Sequence, residues 1–144
     1  MMKTRKLPWI ICLLLYLIQI ALLGVVYVLQ MLTTKKAGVN HHLRFTRTYW
    51  MHNYLTEQNI LILSVVLAVI AVVLLVIFFR HTKQWSLGPK AVLLIALLWV
   101  IILLLSLHLE AIQALLVYPY LLLAEGIGLL LSCCNIVIIS RKRK

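Results

Sequence analysis

The chain has 144 residues, 65% of them hydrophobic and 12% charged, with a mean hydropathy of +1.09 and a formal net charge of +11. Soluble domains hold nearer ~45–50% apolar residues, and a domain this small leaves much of its surface exposed, so a water-soluble globule is excluded. The 14 Lys and Arg sit between apolar runs, not on one polar face, which is the pattern of membrane flanks and argues against a nucleic-acid partner.

Lys3, Arg5 and Lys6 precede an uncharged run that extends to Leu32. A secretory signal has an apolar stretch of only ~7–15 residues followed by a small-residue cleavage site, so this run reads as an uncleaved first span over residues 8–31. At ~1.5 Å per residue such a helix reaches about 36 Å, enough to cross ~30 Å of hydrocarbon with tilt. Pro8 suits a first helical turn and Trp9 the headgroup level. Tyr16, Gln19, Tyr27 and Gln30 fall near one helical face, which is expected to pack on protein.

A polar stretch follows. Lys35, Lys36, Gly38 and Asn40 read as a turn. From His41 to Leu55 the residues Leu43, Trp50, Met51, Tyr54 and Leu55 recur at helical spacing, so a short amphipathic helix lying on the membrane surface is expected. Arg44 and Arg47, with Tyr49 and Trp50, are read as a contact for anionic headgroups or another polyanion, because guanidinium forks suit phosphate. His41, His42 and His52 lack the ligand number and spacing of a zinc site and read as solvated loop residues.

The second span covers residues 59–79 and holds no ionisable side chain. Its many Val and Ile residues do not prevent a helix, because a lone segment in lipid must satisfy every backbone N–H internally. Arg80, His81 and Lys83 stop it. From Ala91 to Ile139 the chain is again almost wholly apolar for 49 residues. One helix of that length would be about 74 Å, more than twice the ~30 Å hydrocarbon. It must fold back near His108, Glu110, Gln113 and Pro119, giving spans at residues 91–109 and 118–139. The expected fold is therefore an all-α integral membrane protein, a single domain of four transmembrane helices with a short amphipathic helix in its outer loop.

Ten Lys and Arg fall on the side of the two termini and the middle loop, and four (Lys35, Lys36, Arg44 and Arg47) on the other. That bias places both termini in the cytoplasm, in a cell membrane; the compact loops favour a bacterial inner membrane. Cys12, Cys133 and Cys134 lie in apolar segments without a CxxC or Cys/His arrangement and read as packing residues.

Glu125 is the one carboxylate inside a span. Facing lipid as an ion would cost a few kcal/mol, so it must face protein, meet a donor or cation, or hold a proton. Glu125, Gly128, Ser132 and Asn135 fall on one helical stripe, and Ala124, Gly128 and Ser132 form a series of small residues that permits close helix approach. These four form the expected intramembrane polar site, on a centrally packed span. His108 and Glu110 form an outer-face polar cluster. Two residues apart on a helix they would point about 200° apart, so no metal site is assigned to them.

Nucleophile-elbow, zincin and phosphate-loop motifs are absent from the sequence, and no enzyme activity or cofactor is expected. The reading is a small accessory or regulatory membrane subunit acting through helix–helix contacts, with Glu125 anchoring another membrane protein or a second copy. The alternative is a small oligomeric transporter, or a flippase for a lipid-linked substrate, that uses the intramembrane carboxylate.

Overall fold

The computed structural model describes residues 7–81 and 87–141. The helices are α1 (Leu7–Lys35), α2 (Ala37–Asn53), α3 (Glu57–His81), α4 (Leu87–His108), α5 (Glu110–Gln113) and α6 (Tyr118–Arg141). Four of them, α1, α3, α4 and α6, are long and apolar enough to span a membrane. They run up to four residues past the sequence-based spans at some ends, because helical hydrogen bonding continues into polar flanks such as Thr33 to Lys35. Lys3, Arg5, Lys6, Lys83, Lys142, Arg143 and Lys144, on which much of the charge bias rests, lie outside the described residues.

All three prolines occupy first turns: Pro8 in α1, Pro89 in α4 and Pro119 in α6. A helix has no internal partner for its first N–H groups, so proline sacrifices nothing there.

Helices α4 and α6 pack on each other in the middle, α1 flanks α6, α3 flanks α4, and α2 crosses one end against α1 and α6. On α4 the buried residues Leu93, Ala96, Val100, Leu103 and Leu107 alternate spacings of three and four. On α1 the buried residues Cys12, Gln19, Val26 and Thr33 are seven apart throughout. Such seven-residue lines let a partner helix stay in contact along its length at a shallow left-handed crossing. In lipid the gain comes from close packing and hydrogen bonds, since hydrocarbon tails are as apolar as Leu.

The flanking helices are far less enclosed. Helix α3 meets the core through Leu67 and Leu74, while Leu61, Ile62, Val65, Val66, Val69, Val72, Val73 and Val76 are exposed. On α1, Tyr27 is 66% exposed, which corrects the expected four-residue polar face. Gln19 is buried and Tyr16 and Gln30 are half-buried, but the contact line passes through Val26, about 100° from Tyr27 on the helix.

The expected turn after the first span is shorter than its composition implies. Only Lys36 is extended (φ −131°, ψ 113°), and Gly38 and Asn40 lie in the first turn of α2. Asn40 serves the end of α1 instead, its amide donating to the Thr33 carbonyl at 3.1 Å. The amphipathic helix does form, with Leu43 buried and Trp50, Met51 and Leu55 half-buried, while Tyr54 is exposed.

The long apolar run folds back where it must. Helix α4 ends at His108, Leu109 is extended (φ −79°, ψ 112°), and α5 makes a single turn before α6. The Gln113 side chain donates to the Leu107 carbonyl at 2.6 Å, closing the last turn of α4. Trp9 of α1 lies over Gly88 of α4, so the first turns of those two helices share one end of the bundle. The opposite end holds α2, α5 and the start of α3.

Candidate functional site

Two polar connections tie the long helices together inside the apolar bundle. The first centres on Gln19. Its amide nitrogen donates to the Gly128 carbonyl at 2.9 Å and to the Ser132 hydroxyl at 3.1 Å, and its oxygen accepts from the Trp99 indole N–H at 3.1 Å. One side chain of α1 thus binds α6 twice and α4 once. Gly128 contributes twice. Its carbonyl is an acceptor, and its missing Cβ makes room for the Trp99 ring, whose Cη2 and Cζ3 atoms would lie 2.9 Å from an added Cβ.

The second connection joins α4 to α6. The Ser106 hydroxyl donates to Glu125 Oε1 at 2.7 Å, and Glu125 is only 3% exposed. Its second oxygen, Oε2, has no hydrogen-bond partner in the described chain. Further along α6, Asn135 is fully buried and neither its oxygen nor its nitrogen is paired. The Tyr16 hydroxyl of α1 sits beside it without closing a hydrogen bond. Buried polar atoms without a protein partner are uncommon and call for water, an ion or a ligand.

The structure therefore brings Glu125, Gly128, Ser132 and Asn135 together on one buried face of α6, turned onto α1 and α4. The sequence alone did not single out Trp99 or Ser106, which complete this seam. A tryptophan in mid-span, away from the interfaces where such residues concentrate, was the available signal for the first. Ser106 carried no local signal, because its pairing with Glu125 spans 19 positions and depends on the fold-back.

His108 and Glu110 are both exposed and line the same cleft, together with Glu57 and Gln113. The angular separation expected on one helix does not apply, because the helix breaks at Leu109 between them. His108 Nε2 lies 3.0 Å from the Ser64 hydroxyl of α3. That hydroxyl already donates its one proton to the Ile60 carbonyl at 2.7 Å, so the His108 contact is completed by a proton on Nε2.

The quartet read as a headgroup contact is split. Arg44 and Tyr49 are exposed, and Trp50 is half-buried against Tyr54 with ring centroids 5.2 Å apart. Arg47 turns inward, donating through Nε at 3.1 Å and a terminal nitrogen at 2.8 Å to the Gln113 carbonyl. A guanidinium suits the unfilled carbonyls at the end of a short helix, so Arg47 fastens α2 to the turn between α4 and α6. Among the described residues no three His, Cys, Asp or Glu side chains are grouped to hold a metal ion.

These features define a small α-helical protein with four helices long and apolar enough to cross a membrane. No known protein family, curated protein or solved structure matches the chain.

Proposed function

We propose that the chain is a non-enzymatic, multi-pass protein of a cell membrane, most compatible with a bacterial inner membrane, with both termini in the cytoplasm. It acts as an accessory or regulatory subunit through contacts with another membrane protein or a second copy of itself. One observation carries this reading: the paired polar groups within the long helices are spent on holding the bundle together, Gln19 with three bonds and Glu125 with one. What remains outward along α3 between Leu61 and Val76 is aliphatic, and on α1 it is aliphatic apart from Trp9 and Tyr27 within the apolar span. Glu125 lies between α6 and α4, so it shapes the subunit rather than touching a partner span. The outer face of α3 along Ile62, Val66, Val69 and Val73 is the contact face.

The test is copurification in mild detergent. A constant complex is expected for the wild type and for Glu125→Gln, and a weakened one for Val69→Trp on the exposed face of α3. A strictly monomeric chain without a partner overturns the proposal.

A specific observation favours a second reading, a small transporter or flippase. Glu125 Oε2 and both polar atoms of Asn135 are buried without a protein partner, and intramembrane ionisable groups often serve proton or substrate coupling. Reconstitution into liposomes separates the two readings. A flux that Glu125→Gln abolishes supports transport, whereas a flux unaffected by that change removes the coupling role.

A further inference from the structure

The cleft beside His108 joins an apolar wall to two carboxylates. It has a volume of about 810 Å³ and is walled by apolar residues of α3 and α4, among them Ile60, Leu61, Val65 and Leu104. Glu57 and Glu110 line it, two of the three acidic residues in a chain carrying 14 Lys and Arg. Among the described residues no Lys or Arg lines it. Among the described residues neither carboxylate has an ion-pair partner.

The cleft also has a direction. Glu57 begins α3 and Ala68 lies 11 residues along the same helix, a distance of about 16 Å at the helical rise. Its acidic groups stand at one end of the apolar span and its wall descends into that span. A ligand that matches both parts needs a cation at one end and hydrocarbon behind it. Because the groove runs along helices that face hydrocarbon, the ligand's source is the bilayer.

We propose that this groove binds a lipid whose headgroup ends in a primary ammonium, with the ammonium at Glu57 and Glu110 and an acyl chain along α3 and α4. A primary ammonium offers three N–H donors to two acceptor-only carboxylates, which a choline headgroup cannot do. An anionic headgroup would meet like charge. The inference depends on membrane insertion of the four long helices but not on whether the protein is a subunit or a transporter.

Native mass spectrometry of the detergent-solubilised full chain tests it, with phosphatidylethanolamine, phosphatidylcholine and phosphatidylglycerol of identical acyl chains offered at equal concentration. Phosphatidylethanolamine is expected to be retained about threefold or more over the other two, the effect of two partly exposed ion pairs. The double variant Glu57→Gln/Glu110→Gln should lose that preference. Ala68→Phe should lower retention of all three lipids by filling the groove, and Glu125→Gln should change nothing. Equal retention of the three lipids, or a preference that survives the double substitution, overturns the proposal. So does displacement of the lipid by an equal concentration of free ethanolamine, because the apolar wall would then contribute nothing.

Discussion

Replacing Gln19 with Leu removes the one side chain that holds α1, α4 and α6 at a single point. Three hydrogen bonds go, two to Gly128 and Ser132 and one from Trp99. Interhelical hydrogen bonds in membrane proteins average ~0.6 kcal/mol each, so their direct loss comes to about 2 kcal/mol. The change also leaves the indole N–H of Trp99, a residue only 8% exposed, without its acceptor, and a stranded buried donor costs ~1–3 kcal/mol. Leu restores some packing, and the two contributions overlap at the Trp99 bond, which sets the expected loss at about 2–3 kcal/mol. Unfolding in mixed micelles with increasing SDS, followed by circular dichroism and tryptophan fluorescence, measures it. Tyr27→Leu is the control, on the same helix and 66% exposed, and it should leave stability unchanged. A Gln19→Leu loss below about 0.5 kcal/mol, or one equalled by Tyr27→Leu, refutes the reasoning, because each bond would then be worth less than the ~0.6 kcal/mol average.

Gly128→Ala should destabilise by ~1–3 kcal/mol, the usual cost of overpacking, since its Cβ would press on the Trp99 ring at 2.9 Å. Gly126→Ala, with nothing within 4 Å of its added Cβ, should be neutral or stabilising in the same SDS titration. Arg47→Ala removes two bonds to the Gln113 carbonyl and should release α2. Hydrogen–deuterium exchange over Ala37–Asn53 should then quicken by about tenfold, from charge-assisted bonds worth ~1.5–3 kcal/mol when well shielded and less at this half-exposed site. Glu125→Gln keeps an acceptor for the Ser106 hydroxyl and removes the need to bury a carboxyl group, so stability should hold or rise. Ser106→Ala, which leaves both carboxylate oxygens unpaired, should lower it by ~1–2 kcal/mol.

The four long helices were legible because the bilayer imposes one solution on long apolar segments, whatever the preference of Val and Ile in water. The stripe from Glu125 to Asn135 was legible for a related reason: polar residues repeating at helical spacing in such a segment have only protein to face. What the sequence concealed depends on which helix meets which. Gln19 reads as one of four polar residues on a face, and only packing separates it from Tyr27, which looks outward. The inward turn of Arg47 required a carbonyl of a turn 66 positions away. His108 and Glu110 line one cleft despite the separation of about 200° that a continuous helix would impose, because a single extended residue, Leu109, interrupts the helix between them. Asn40 belonged to a helix start despite its turn-like neighbours, because its side chain had the end of α1 to satisfy.

Cysteine labelling reads out the four crossings themselves. In a background lacking Cys12, Cys133 and Cys134, single cysteines replace Thr48 in α2, Ala111 in α5 and Ser140 near the end of α6, and intact cells meet a membrane-impermeant maleimide. Positions 48 and 111 should label from outside, and position 140 only after permeabilisation. Labelling that puts positions 48 and 111 on opposite faces, or 111 and 140 on the same face, contradicts four crossings.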